Sequence, residues 1–248
     1  MADPSAVARH VPGTLYLVPN LLGIVAPEAV LPQRTLDVAR ALRRFVVENA
    51  KPTRAFLKGL ALDVPLASLA IDEIPRESDR TALEALLAPA MAGEDIGVVS
   101  DAGCPGIADP GGALVATAHR LGIRVVPLVG PSAILLALMA AGCNGQSFAF
   151  HGYLPVDAAA RIARIAELEA AIARTGATQL FIETPYRNEA MLGTLLAHCR
   201  AETQLCVAAD LTLPNETIVS APVRAWKARP VGGWAKRPAL FLLGRAAG

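Results

Sequence analysis

Residues 98–112 read VVSDAGCPGIADPGG. Val98 and Val99 belong to a short apolar run, 96–100, that is the clearest buried-strand pattern in the chain. The run delivers Ser100 and Asp101 into a loop of glycine, proline and aspartate. Open α/β folds gather their ligands at the carboxyl edge of a parallel sheet, where a loop of this kind lies. Gly103, Gly106, Gly111 and Gly112 let the backbone approach a ligand closely and aim N–H groups at it. Asp101 and Asp109 could orient an amino group or a ribose. The same residues fit a glycine-rich surface loop whose aspartates cap their own turns and the next helix. The loop alone leaves both readings open.

Outward from this loop, strands and helices alternate. Apolar patterning predicts strands at 14–18, 66–71, 96–100, 123–129, 148–153, 179–183, 205–210 and 239–243. Helices are predicted at 36–47, from Ser78-Asp79 to Gly93, at 113–121, from Ser132 to Gly142, at 158–174 and at 189–198. Hydrophobic residues make up 53% of the chain and aromatics 4%, so the core is built from Ala, Val, Leu and Ile. That composition suits helices packed on a buried parallel sheet, an α/β fold. The 248 residues suffice for two ordinary domains. The division is expected near Gly130: an N-terminal α/β domain, 1–129, with the central loop and acceptor cleft, and a C-terminal α/β domain, 130–248. No flexible Gly/Ser tract joins them.

Three further stretches carry candidate chemistry. In VVPLVGPSAILLALMAAG (125–142), Ser132 stands where a helix N-cap would. That helix start either faces an anionic ligand group or caps a core helix. In LFIETPYR (180–187), Glu183 ends an apolar strand, and its carboxylate either serves a ligand or pairs with Arg187. The stretches DLTLPNE (210–216) and KRPALFLL (236–243) complete the set.

Other classes are disfavoured. A formal charge of +1 argues against a strongly basic nucleic-acid clamp, although Arg40, Arg43, Arg44, Lys51, Arg54 and Lys58 gather in one stretch. That stretch reads as a phosphate-contacting patch or as a solvated helix face. Cys104, Cys143, Cys199 and Cys206 form no CxxC, and the four histidines show no ligand spacing, so neither a metal nor a disulfide framework is expected. The first twelve residues lack the apolar segment of a signal peptide, and 133–142 is too short to span a bilayer; a cytoplasmic protein is expected. No Walker A or GxSxG occurs, and the first strand runs into VPNLLG instead of GxGxxG.

GTLYLV (13–18), SDAGCPGIADPG (100–111), VVPLVGPSA (125–133) and FIETPYR (181–187) together resemble the tetrapyrrole (corrin/porphyrin) methylase superfamily, most closely its ribosomal-RNA small-subunit methyltransferase I branch. The resemblance implies two α/β domains with S-adenosylmethionine in the cleft between them, usually in a homodimer. It assigns cofactor contacts to Pro19, to Ser100, Asp101 and Ile107 (largely through backbone groups), to Ser132 and Ala133, and to Glu183, Leu211, Pro238 and Ala239. The implied reaction is methyl transfer, with the ribose 2′-hydroxyl of small-subunit ribosomal RNA as acceptor and Asp101 as the candidate base. Cofactor orientation is the alternative role of Asp101. There are departures: VPNLLG replaces an ATPIGN-like turn, Val47-Glu48-Asn49-Ala50-Lys51 replaces an AEDTR-like segment, and no C-terminal extension follows Gly248. These departures keep two alternatives open: methylation of a tetrapyrrole or other small molecule, and a catalytically silent cofactor-binding homologue.

Overall fold

The computed structural model describes residues 11–75, 77, 79–229 and 232–246; the expectations for the first ten residues and for Ser78 lie outside these. The chain forms two compact units, Met1–Pro131 and Ser132–Gly248.

The first unit runs β1 (Thr14–Leu17), α1 (Gln33–Ala41), β2 (Arg44–Val47), α2 (Ala50–Gly59), β3 (Ala70–Glu73), α3 (Arg80–Met91), β4 (Ile96–Val99), α4 (Gly111–Arg120) and β5 (Arg124–Pro127). Its five strands are parallel, in the order β3-β2-β4-β1-β5. Alternate strand residues face opposite layers. Phe45, Val47 and Val99 join Leu36, Ala39, Phe56 and Leu57 of α1 and α2. Leu15, Val46, Ile96 and Val98 join Leu83, Leu87, Leu114 and Ala118 of α3 and α4. A sheet covered on both faces needs apolar residues throughout, and β4 is buried at every position.

Two expectations fail here. The helix predicted over 36–47 stops at Ala41, and Arg44–Val47 is a strand inside the sheet. The stop is made by a side chain: Nη1 of Arg43 donates to the carbonyls of Arg40, Ala41 and Leu42 at 2.7, 3.0 and 3.1 Å. These are the orphan acceptors of a helix C-terminus, usually closed by a glycine turn. The strand predicted over 66–71 begins later, because Leu66–Ser68 is a 3-10 turn after Pro65. The unpredicted α2 starts at Asn49, whose Oδ1 accepts from Lys51 N–H at 3.1 Å, with Pro52 in the first turn where its missing N–H costs nothing.

The second unit comprises α5 (Ala133–Ala140), β6 (Phe148–Tyr153), α6 (Ala158–Thr175), β7 (Thr178–Glu183), α7 (Asn188–His198), β8 (Gln204–Ala209), β9 (Thr217–Pro222), α8 (Val223–Trp226) and β10 (Ala239–Gly244). Its sheet runs β6-β7-β10-β8-β9, with β6 and β7 parallel and the other pairs antiparallel. Phe181 and Phe241 stack at 5.7 Å between centroids, beneath Ile165 and Leu168 of α6 and Leu192 and Leu195 of α7. Asp157 caps α6 through Ala160 N–H, and Gly176 closes it in the left-handed conformation. β9, also unpredicted, is an edge strand of mostly half-buried residues. The protein is thus α/β with one parallel and one mixed five-stranded sheet.

Candidate functional site

In the first unit, the neighbouring strands β1, β2 and β4 end together at the carboxyl edge, and the turns that follow clasp one another. Asn20 is 4% exposed. Its Nδ2 donates to the carbonyls of Ser100 and Asp101 at 3.0 and 3.1 Å, and its Oδ1 accepts from Leu21 N–H at 2.8 Å. Asn20 and Gly103 also exchange both backbone hydrogen bonds, at 2.9 and 3.2 Å. Pro19, expected at the cofactor, is buried beside Gly130, where an added Cβ would meet the proline ring at 2.4 Å. Only glycine permits that approach. The VPNLLG departure therefore has a structural purpose, since its asparagine locks the first turn to the central loop.

The central loop divides its polar groups between architecture and openness. Ser100 is buried, and its Oγ donates to the carbonyl of Ala102 at 3.2 Å and of Gly103 at 3.4 Å. Asp109 binds the N–H groups of Gly106 and Gly111, each at 2.8 Å, so it fastens the loop to the start of α4. Gly103 and Gly106 have φ of 69° and 83°, which a loop of this curvature demands. Asp101 and Ile107 are exposed. The Asp101 carboxylate accepts no hydrogen bond from a described residue, while its N–H donates to Oε2 of Glu48 at 3.1 Å. Glu48 is the one carboxylate that this segment shares with the AEDTR-like pattern; the aspartate expected after it is absent, and Asn49 in its place takes the capping task that aspartate also performs.

These carboxylates crowd one another. Partial burial raises the Asp101 carboxyl above the ordinary aspartate range, and the charges of Asp109 and Glu73 push it further. Burial likewise raises Glu48, against the lowering effect of the Asp101 N–H bond, and the charges of Asp101 and Asp109 add to the rise.

In the second unit, antiparallel pairing brings three distant segments to one sheet edge. Ala239 at the start of β10 lies opposite Glu183 at the end of β7 and Ala209 at the end of β8. Asp210 N–H donates to the Pro238 carbonyl at 3.0 Å, so Glu183, Leu211, Pro238 and Ala239 occupy one neighbourhood. The Glu183 carboxylate is committed to Arg187, at 2.6 Å, and to Thr184 N–H. Ser132 caps α5 by accepting from Leu135 N–H, with Ala133 as the first helical residue.

Sequence reasoning missed the network beneath this edge. Asp210 and Thr212 are left-handed, with φ of 52° and 71°, and Lys236 has φ of 61°. Non-glycine residues held this way store strain, and such residues cluster at functional sites. The buried Asp210 carboxylate receives Arg237 Nε at 2.5 Å and Asn215 Nδ2 at 2.6 Å, and Arg237 also reaches the Asn215 carbonyl and Thr217 Oγ1. The Thr212 hydroxyl is buried without a hydrogen-bond partner among the described residues. Such a group is a vacancy in the hydrogen-bond accounting that a ligand can fill. No triplet of His, Cys, Asp or Glu among the described residues is arranged to hold a metal ion.

The basic stretch is not one surface. Arg40 pairs with Glu28 at 3.1 Å, Arg43 with Asp63 at 3.0 Å, and Arg44 with Asp72 and Glu94 at 3.0 and 2.9 Å. Lys51, Arg54 and Lys58 stand on α2.

The first unit is a doubly wound parallel sheet with a glycine-bent loop at its carboxyl edge, and the second a mixed sheet with a strained edge turn, so the protein is of the α/β class with a candidate ligand edge in each unit. The chain matches the family model of the tetrapyrrole (corrin/porphyrin) methylases over residues 26–226 and belongs to that family. It is an S-adenosylmethionine-dependent methyltransferase. It is similar to the ribosomal RNA small subunit methyltransferase I of Vibrio cholerae, with 32% identity over 223 residues, covering 90% of this chain and 73% of that protein. The protein of the same name from Escherichia coli is 35% identical over 211 residues, covering 85% and 70%. Among solved structures, the methyltransferase CobJ aligns with a TM-score of 0.62 at 20% identity, over 95% of each chain. Uroporphyrin-III-C-methyltransferase from Thermus thermophilus aligns with a TM-score of 0.55 at 22% identity, over 94% and 93%. These two likenesses concern the fold.

The residues present fit such a cofactor. Among the described residues, and each unit taken by itself, the first carries the unpartnered Asp101 carboxylate at its sheet edge, and the second carries the unpartnered Thr212 hydroxyl and the buried apolar Leu211 and Ala239. Few, well-placed polar groups against apolar walls are the usual composition of a cofactor site.

Proposed function

We propose that the protein methylates small-subunit ribosomal RNA, at a ribose 2′-hydroxyl, with Asp101 acting on the acceptor. The observation that carries the RNA reading is the similarity, over most of the chain, to proteins named ribosomal RNA small subunit methyltransferase I. S-adenosylmethionine, when bound, supplies an electrophilic sulfonium methyl. Pro19, Ser100, Asp101 and Ile107 of the first unit and Ser132, Ala133, Glu183, Leu211, Pro238 and Ala239 of the second would hold it, mainly through backbone groups and shape. The protein's task is then alignment of acceptor and methyl carbon, which is catalysis by positioning. A hydroxyl acceptor also needs its proton taken up. The Asp101 carboxylate accepts no hydrogen bond from a described residue, and partial desolvation and the charges of Asp109 and Glu73 make it more basic.

The described residues include no helix long and apolar enough to cross a membrane. We place the protein in the cytoplasm as a homodimer. Four free thiols suit a reducing compartment. Exposed Leu135 and Met139 on the wholly apolar α5 suit a second copy.

The deciding experiment incubates the protein and labelled cofactor with small ribosomal subunits from a strain lacking the chain's gene, followed by mapping of the modified nucleotide. Label at a ribose of the small-subunit RNA is expected. Label appearing only on uroporphyrinogen would favour the small-molecule acceptor, and cofactor binding without turnover on any acceptor would favour a silent homologue.

A further inference from the structure

The exposed cations of α2 share one face. Lys51, Arg54 and Lys58 follow i, i+3, i+7 spacing, opposite the buried Thr53, Phe56 and Leu57. The helix carries no acidic residue, and no described carboxylate forms an ion pair with any of the three. The arginines just before them are all neutralised by carboxylates. In a chain of net charge +1, this stripe is a local excess of positive charge. Its start is pinned to the edge that carries Asp101: Ala50 N–H donates to Oε1 of Glu73 at 2.7 Å, and Glu48, two residues before the helix, holds the Asp101 N–H.

We propose that α2 is a phosphate track for the RNA strand presented to Asp101, with Lys51, Arg54 and Lys58 each contacting a phosphate; this rests on the RNA reading above. Seven residues of helix rise about 10 Å. At the roughly 3.4 Å of axis per phosphate in a nucleic-acid strand, that length spans about three phosphate steps, enough for each of the three cations to reach a phosphate of its own. A membrane surface fits less well, because the apolar face of α2 is buried in the core and its free face exposes only Ala55 and Gly59 beside the cations. Contacts of this kind position an acceptor without reading its sequence.

The test compares Lys51→Gln/Arg54→Gln/Lys58→Gln with Arg174→Gln/Lys227→Gln/Arg229→Gln, a variant with the same charge change on exposed residues of the second unit. Binding of a small-subunit ribosomal RNA transcript is measured by fluorescence anisotropy across a salt series. The α2 variant is expected to lower the slope of log K against log salt by about 2–3 and to weaken binding at 0.15 M salt roughly 10- to 100-fold. Each single α2 substitution is expected to lower the slope by about 0.7–0.9. The comparison variant should lower it by less than half as much, and calorimetric titration of S-adenosylmethionine should be unchanged in both. A slope in the α2 variant equal to that of the wild type, or loss no greater than in the comparison variant, overturns the track while leaving the RNA reading intact. A wild-type protein that binds polyglutamate but no RNA overturns both.

Discussion

Replacing Asn20 with alanine tests the clasp at the first unit's sheet edge most directly. The substitution removes three hydrogen bonds: two donated to the carbonyls of Ser100 and Asp101 and one accepted from Leu21 N–H. Ser100 is 3% exposed, so its carbonyl is left buried without that partner, whereas Asp101 and Leu21 can regain water. A net loss of about 1 kcal/mol per bond, with a desolvation penalty of about 1–3 kcal/mol for the stranded carbonyl, gives about 2–4 kcal/mol after partial rehydration. At roughly 2–4 °C per kcal/mol for chains of this size, the melting temperature should fall by about 4–16 °C. The backbone exchange between Asn20 and Gly103 survives the change, so the variant should fold. Circular dichroism melts and S-adenosylmethionine titration read the two consequences, and affinity should weaken because the loop bearing Ser100 and Asp101 loses its anchor. Asn20→Asp is the informative companion. It keeps an acceptor for Leu21 but sets carboxylate lone pairs against two carbonyls, so it should destabilise more than alanine. An alanine variant melting within about 1 °C of wild type, or an aspartate variant more stable than alanine, would refute the clasp.

Asp101→Asn should reduce methyl transfer by about 100-fold or more while shifting the melting temperature by no more than about 2 °C, because the residue is exposed, its carboxylate holds no hydrogen bond from a described residue and asparagine keeps its size; single-turnover kinetics and melts separate the two effects. Glu48→Gln should raise stability near pH 7. Folding raises the Glu48 pKa, so its charged form costs stability above the folded pKa, and the cost vanishes below the unfolded value near 4.5. The gap between variant and wild type should therefore shrink as pH falls from 7 to 4 in denaturant titrations; a constant gap would remove burial as its cause. Arg237→Ala leaves the buried Asp210 carboxylate with Asn215 alone and should cost about 3–5 kcal/mol, whereas Arg237→Lys should recover only part, since an ammonium cannot reach Asp210, Asn215 and Thr217 together. Equal melting curves for the two variants would count against the network.

Much of the fold was legible because its elements carry local punctuation. Asp157 and Gly176 bracket α6, and Ile96–Val99 is apolar at every position except a glycine. The failure at β2 has a physical cause. Leu36, Ala39, Leu42 and Phe45 carry helical spacing straight through the end of the helix, and the boundary is closed by the reach of Arg43, which no propensity encodes. β9 escaped because an edge strand need not alternate cleanly. The same limit applies at the site. Asp101, Ser100 and Pro19 were visible as residues at a strand end, but the distribution of their roles was not. Asp109 and Ser100 serve the loop itself, and Glu183 serves Arg187. Asp210 and Thr212 fell inside the stretch 210–216 without their roles being visible, because left-handed backbone at non-glycine residues is imposed by the surrounding structure, and the role of Asn20 depends on contacts with a loop about 80 residues away.

The place of β10 in the second sheet has a consequence for how the protein is made. β10 lies between β7 and β8, which precede it in the chain, and Ala239 emerges from the ribosome about 56 residues after Glu183 and about 30 after Ala209. The first sheet can close once residue 127 has appeared. The second stays split into two unjoined halves until residue 244, exposing the flanks of β7 and β8 for a few seconds at ordinary rates of synthesis. During that interval the nascent chain holds a finished first unit and an open second one. Chaperone dependence and sensitivity to premature truncation should therefore concentrate in the second half of the chain.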